Sequence, residues 1–249
     1  MTIIVADLGT NWDPDRWEDS IAYAIETAAG CGVDYVKMQD WGPIDDLQRP
    51  DEDKNKMRPW TLDEEIIEHA QIVAGECKVG FFCSLFTESA RVRTHYFKYA
   101  YQKIATSENA NYDLLRMLAP QRPALISFDT RPGIFNAFQW LICAATVNSW
   151  TEFIPMACVP LYHKITPEMA IAAIQTGLPM FKQQFARAGW SSHVHYPECI
   201  KAAQLAVNVF GADFVEVHFN AVPVEGAPDN GPWALGPDEL AEFVEALRE

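Results

Sequence analysis

A (β/α)8 barrel, the TIM-barrel form of the α/β class, is the fold that this sequence predicts. Three observations carry the prediction. Short apolar runs alternate with helix-spaced segments eight times along the chain. The length of 249 residues, 49% of them apolar, is close to that of one such barrel. Three of the runs also carry a lysine or a hydroxyl near their C-terminal ends, at Lys37, Ser84 and Lys103. In a barrel of parallel strands that end is where chemistry is done. A doubly wound open sheet is the alternative. It would show a Gly-rich fingerprint after the first strand, and the stretch from Gly9 to Pro14 is not one.

The elements follow in order. Ile3 to Asp7 is a β-branched run ending in an acid. Pro14 to Gly30 has helical spacing through Trp17, Ile21, Ala24, Ile25 and Ala28, and Gly30 and Gly32 stop it. Asp34 to Met38 is a strand. Trp41 to Pro59 is a long polar loop, of a length that in compact domains is functional or mobile. Thr61 reads as an N-cap with Glu64 completing a capping box, and the helix runs to Cys77. The alternation then continues with strand Val79–Ser84 and helix Glu88–Tyr96, strand Tyr101–Ala105 and helix Tyr112–Leu118, and strand Ala124–Phe128 and helix Ile134–Ala145. Strand Phe153–Cys158 precedes helix Pro167–Ile174, with a further turn over Phe181–Ala186. Strand Trp190–Val194 precedes helix Pro197–Phe210, and strand Phe214–His218 precedes helix Pro237–Leu247. Pro167, Pro197 and Pro237 suit the first turns of helices. No Gly/Ser-rich or charge-block linker divides the chain, so one domain over residues 1–249 is expected.

The net charge of −15 and pI near 4.7 argue against nucleic acid and anionic membranes as partners. A few focused lysines can still hold a small anion at close range. The six cysteines, at 31, 77, 83, 143, 158 and 199, include no C-x-x-C pair and read as free thiols in a reducing cytosol. The start has no basic n-region, and no apolar run is long enough for a membrane helix, so a cytoplasmic location is expected.

The stretch from Tyr101 to Tyr112 concentrates the chemistry. Lys103 lies inside a short strand, and Thr106, Ser107, Glu108 and Asn109 follow at its mouth. Burying a lysine is costly unless an anion offsets it. An edge-strand lysine reaching to water is the alternative.

These strand ends resemble those of the N-acetylneuraminate (sialic acid) synthase family. The opening Ala6-Asp7-Leu8-Gly9-Thr10-Asn11 is similar to the family's first strand. Val36-Lys37-Met38-Gln39, Cys83-Ser84-Leu85-Phe86 and the run Gln102 to Glu108, with Asn111-Tyr112 following, match the next three. Pro123 to Asp129 keeps Ser127; Gly189 to Val194, Glu216 to Phe219 and Ala227-Pro228-Asp229 complete the series. Each motif is weak alone; their order and spacing are specific.

The resemblance implies a catalytic barrel that condenses phosphoenolpyruvate with an open-chain N-acylated amino sugar or a related aldose, releasing phosphate. It implies that Lys37, Lys103, Ser84, Thr106 and Ser127 hold the phosphate and carboxylate of phosphoenolpyruvate. Gln39 and Asn11 join them in substrate binding, and Asp7, Glu108 and Asp229 carry catalytic acid–base or hydroxyl-binding roles. It implies a divalent metal, Mn²⁺ or Mg²⁺, on two histidines. His193 matches one, while Ala157 stands at the other, which argues against a complete site; Cys158, His163 or His195 would have to compensate. Asp7 also replaces a glutamate, and Trp12 a histidine. Bacterial members carry an antifreeze-like domain that lends an arginine to a partner subunit's site. The expectation here is the barrel alone, with Arg131 or Lys164 as the replacement cation and a homodimer among the compatible assemblies. An Asp129–Arg131 surface pair is the alternative for Arg131.

Other constellations have two readings each. Trp12, Trp41, Trp60 and Trp190 form a sugar-stacking wall or fill loop cores. His218 ends the last strand and is placed to face the mouth. Asp45, Asp46, Asp51, Glu52 and Asp53 lack oxygen-ligand spacing and read as a solvated loop. A class I aldolase with Lys103 or Lys37 as the Schiff-base amine, and an inactive barrel that binds a sugar or phosphate, are the competing functions.

Overall fold

Period-two alternation sorts the strand residues into an inner and an outer face, and the fold follows from that sorting. The structure is a computed structural model and describes residues 1–119, 122–147 and 151–249. Eight parallel strands run in chain order: β1 (Ile3–Gly9), β2 (Tyr35–Asp40), β3 (Gly80–Leu85), β4 (Gln102–Ile104), β5 (Ala124–Asp129), β6 (Phe153–Cys158), β7 (Gly189–Ser192) and β8 (Phe214–Phe219). β1 pairs with β8 and closes the barrel, with Asp7 opposite His218. A two-residue strand, β9 (Ala234–Leu235), adds to the outer end of β8.

The helices fill the intervals: α1 (Trp17–Gly30), α2 (Asp51–Met57), α3 (Glu64–Glu76), α4 (Glu88–Phe97), α5 (Tyr112–Arg116), α6 (Ala137–Thr146), α7 (Pro167–Gln184), α8 (Glu198–Gln204) and α9 (Pro237–Arg248). Outward strand residues such as Val36, Met38, Leu85, Ile126 and Val217 are buried beneath them. No described helix is long and apolar enough to cross a membrane. All six cysteines are free.

The inner face explains where a site can form. Low in the barrel, Tyr35, Phe82, Tyr101 and Phe214 meet edge to face, with ring centroids 5.2 to 5.8 Å apart. These rings make a dry floor. Two residues further along their strands, the inner face changes to Lys37, Ser84, Lys103 and Glu216, all buried. Charge therefore sits on an aromatic plug, where the dielectric is low and electrostatic contacts are strong.

Several boundaries differ from the sequence reading. The N-cap of α3 is Asp63, whose carboxylate accepts from the Ile66 amide, so Thr61 and Glu64 form no capping box there. Either Thr61 or Asp63 satisfies the local signal, and the one whose backbone is extended just before the first turn wins. The 41–59 segment is not plain loop: it holds α2 and short 3₁₀ turns. α7 continues unbroken through Pro179 rather than stopping near Ile174, because its buried face extends to Phe181 and outweighs one lost backbone bond.

Candidate active site

The C-terminal ends of the strands open into a cavity of about 450 Å³. Its inner wall is an ion network. Lys37 Nζ lies 2.7 Å from Asp7 Oδ2 and 3.6 Å from Glu216 Oε1, and Lys103 Nζ lies 3.4 Å from the same Glu216 oxygen. Each lysine also donates to a hydroxyl on the neighbouring strand: Lys37 to Ser84 and Lys103 to Ser127, both at 2.8 Å. Register produces these pairs, since Lys37 faces Phe82 across β2–β3 and Lys103 faces Leu125 across β4–β5, and each serine is the next residue on the same face.

Burial and charge oppose each other here. Burial works against the Lys37 ammonium, but Asp7 and Glu216 outweigh it and raise its pKa. Burial dominates at Lys103, pulling its pKa below that of an ordinary lysine although Glu216 restores part. Glu216 is equally buried, yet Lys103, Lys37 and a bond from Ser191 bring its carboxyl down to about 2. The Asp7 carboxyl is raised by burial against the pull of Lys37. Glu216 Oε2 and His218 Nδ1 are buried without a hydrogen-bond partner.

A second wall comes from loops. Asp229 Oδ2 accepts from the Thr10 amide at 2.9 Å, from the Thr10 hydroxyl at 3.0 Å and from Gln39 at 3.1 Å. A side chain on Gly9 would collide with this carboxylate, 2.3 Å from its Cβ, and Gly9 adopts φ +50°. Glycine is thus required where β1 bulges to admit Asp229. Beyond Asp229, Tyr162 packs on His193, His218 and Trp233 at centroid distances of 4.3, 5.8 and 5.1 Å.

Nine of the expected site residues line the cavity: Asp7, Lys37, Gln39, Ser84, Lys103, Thr106, Ser127, His193 and Asp229. Three do not. Asn11 is buried and its amide donates to the Phe219 carbonyl, which ties β1 to β8. Glu108 accepts from Ser107 and, at 3.5 Å, from Asn111, at the edge of its turn. Arg131 is clamped on Asp129 by three side-chain bonds of 2.6 to 3.1 Å, the surface-pair alternative. Lys164 is exposed and outside the lining. The four tryptophans are buried, and only Trp41 touches the cavity. The aromatic wall is instead Tyr162 and Trp233.

Glu216, a cavity residue to which the motif reading assigns no role, carries its own signal in the sequence: an acid inside the apolar run Phe214 to Phe219, two residues before His218. Arg49, Tyr162 and Trp233 sit in loops whose folding no periodicity predicts.

Ala157 does not face the mouth. Its Cβ points at α7, where a Cβ on Gly177 would lie 3.1 Å from it. Cys158 is the inward residue of β6, with Sγ 3.7 Å from His193 Nδ1. Burial pushes the Cys158 thiol up to about 12, so it is protonated at neutral pH. His193 Nδ1 donates to the Val159 carbonyl at 2.9 Å, leaving Nε2 as an acceptor. That orientation suits a metal ligand. However, among the described residues no three His, Cys, Asp or Glu side chains converge to hold an ion. Asp7 and Glu216 are engaged by ammonium groups instead. His193 and His218, with ring centroids 5.2 Å apart, are the two imidazoles that stand side by side in the cavity wall.

Burial also lowers the His193 pKa from 6.5 to about 3, with His218 adding to the effect. A histidine buried neutral contributes stability above its unfolded value that is lost as pH falls toward the folded one. His193→Asn is therefore expected to flatten the decline in melting temperature between pH 6.5 and about 3. Calorimetric melts across that range check it. An unchanged slope assigns the acid sensitivity elsewhere.

Comparison with known proteins places this geometry. A model of the NeuB family matches residues 24–249. The structure is similar to N-acetylneuraminic acid (sialic acid) synthetase from Leptospira borgpetersenii serovar Hardjo-bovis, with TM-score 0.84, 20% identity, and coverage of 99% of this chain and 82% of that one. It is similar to a spore coat polysaccharide biosynthesis protein from Bacillus subtilis, with TM-score 0.79, 25% identity, and coverage of 99% and 67%. Phospho-2-dehydro-3-deoxyheptonate aldolase from Thermotoga maritima follows at TM-score 0.71, 13% identity, and coverage of 99% and 68%, a likeness of fold. No curated protein matches the chain.

Proposed function

The chain belongs to the NeuB family, and from that premise we propose that it condenses phosphoenolpyruvate with an open-chain N-acylated amino sugar or related aldose and releases phosphate. The observation that carries the reading is the pair of buried ammonium groups, Lys37 and Lys103, each bonded to a serine hydroxyl on a dry aromatic floor. A small, multiply charged anion is what such a group binds best.

Phosphoenolpyruvate lies with its carboxylate and phosphate over Lys37, Lys103, Ser84, Ser127 and Thr106. The acceptor occupies the wall of Gln39, Asp229, His218 and Tyr162, with its apolar face on Tyr162 and Trp233. The methylene carbon of the enol attacks the aldehyde carbon. A new carbon–carbon bond forms, and the aldehyde oxygen takes a proton and becomes a hydroxyl. Water adds at the carbon bearing the phosphate, and phosphate then departs to leave a 2-keto acid. Lys37 and Lys103 stabilise the enolpyruvyl anion throughout. Asp7, whose carboxyl is raised by burial, holds the proton released by water in this reading. Unpartnered Glu216 Oε2 accepts from substrate hydroxyls or water, and His218 Nδ1 is the second free group that bonds them, since buried polar atoms are costly when left unpaired.

Phosphate release from phosphoenolpyruvate, assayed against a panel of N-acylated amino sugars and plain aldoses, tests the proposal. Turnover with at least one acceptor, and a 2-keto acid product by mass spectrometry, is expected. Phosphate release with no acceptor in the panel would sink it. The lowered pKa of Lys103 favours one competing reading, a Schiff-base aldolase. Borohydride trapping separates the two: an adduct on Lys103 with a carbonyl substrate alone selects the aldolase.

A further inference from the structure

The cations of the cavity are not equivalent. Lys37 and Lys103 each already face a carboxylate, that of Asp7 or Glu216. Arg49 also lines the cavity, and among the described ion pairs it has no carboxylate partner. Its guanidinium makes one side-chain bond, from Nη2 to the Ser107 hydroxyl at 3.3 Å. Ser107 follows Thr106 in the 3₁₀ turn after β4, the strand that carries Lys103. Polar groups thus climb from Lys103 through Thr106 to Ser107, whose hydroxyl donates to Glu108 at 3.1 Å, and end on Arg49, which reaches over from the loop after β2.

That loop is held in place. Ile44 and Leu47 are buried, the Ser89 hydroxyl of α4 donates to Asp46 at 2.6 Å, and Arg58 pairs with Asp45 at 2.9 Å. Arg49 is therefore presented to the mouth from an anchored segment. An uncompensated planar cation facing hydroxyls recognises tetrahedral oxyanions in a forked geometry.

We propose that Arg49 is the phosphate-capping residue: its guanidinium grips the outer oxygens of a phosphate monoester whose inner oxygens meet Lys103 and Ser127. The inference rests on the phosphoenolpyruvate reading above. It assigns the phosphate to the β4 side of the cavity and leaves the Asp229 and Tyr162 side to the acceptor.

The test uses the full chain, with inorganic phosphate and phosphoenolpyruvate as probes in titration calorimetry and steady-state kinetics. Arg49→Ala is expected to weaken phosphate binding and raise the KM for phosphoenolpyruvate by about 10–100-fold, with the acceptor's KM unchanged. Arg49→Lys recovers part of the loss, because an ammonium restores charge without the fork. Lys56→Ala, a charge removed from exposed α2, where it pairs with Glu52 outside the cavity, leaves both values as in wild type. Arg49→Ala that binds phosphate as tightly as wild type, or that alters only the acceptor's KM, overturns the cap even while phosphoenolpyruvate turnover upholds the reaction. Wild type that binds phosphate through Arg49 but releases none from phosphoenolpyruvate upholds the cap and overturns the reaction. Binding of neither probe overturns both.

Discussion

Lys103→Met is expected to lower phosphoenolpyruvate-dependent phosphate release by about 10²–10³-fold or more while the barrel stays folded. Methionine keeps most of the lysine's stem and packs on the same wall, so no large cavity opens. What disappears is the ammonium that donates to Ser127 at 2.8 Å and faces Glu216 at 3.4 Å. Glu216 is not left alone, since Lys37 lies 3.6 Å from it and Ser191 donates at 2.9 Å. The net charge offered to the enolpyruvyl anion falls by one unit in a dry site, where each charge-assisted contact is strong. The loss belongs in both kcat and affinity, because the same cation holds the substrate and stabilises charge as phosphate departs. Kinetics, calorimetry with phosphoenolpyruvate and a thermal melt together check it. Full affinity for phosphoenolpyruvate in Lys103→Met would remove Lys103 from the site.

Ala157→His is expected to cost several kcal/mol of stability or prevent folding, by overpacking, whereas Cys158→His keeps the fold. Ala157 is fully buried, and the space it faces is already closed: a Cβ on Gly177 would sit 2.6 Å from Thr130 Cγ2 and 3.1 Å from Ala157 Cβ. An imidazole has no rotamer there without lifting α7 from the barrel, and its nitrogens would be buried among apolar groups. Cys158 looks into the cavity, where an imidazole meets His193 rather than a helix. Denaturant melts of both variants decide between the two faces. A stable Ala157→His protein and an unfolded Cys158→His protein would mean that β6 presents the opposite face to the mouth.

Those two residues mark the limit of the sequence. Counting strand–helix units and locating Lys37, Ser84 and Lys103 at strand ends required only local information. Hydrophobic period and turn chemistry are properties of neighbouring residues, and so the barrel and most of its inner wall were legible. Which residue of Ala157 and Cys158 points inward depends on the register of β6 against β5 and β7, and a one-residue shift exchanges the two faces. Motif alignment pointed to Ala157; strand pairing selects Cys158.

Charge pairing divides in the same way. Arg131 lies close in sequence to the fifth strand end, but Asp129 is nearer still and engages it. Arg49 lies in a loop with no periodic pattern, and only the docking of Ile44 and Leu47 into the core brings it over Ser107. The acid inside β8 was visible in sequence, yet its role was not, because its two lysine partners come from strands about 110 and 180 residues earlier. The sequence by itself determined the fold class and the residue types available at the strand ends. Tertiary structure decided which face each residue takes and which charges remain unpaired, because both depend on contacts between segments far apart in the chain.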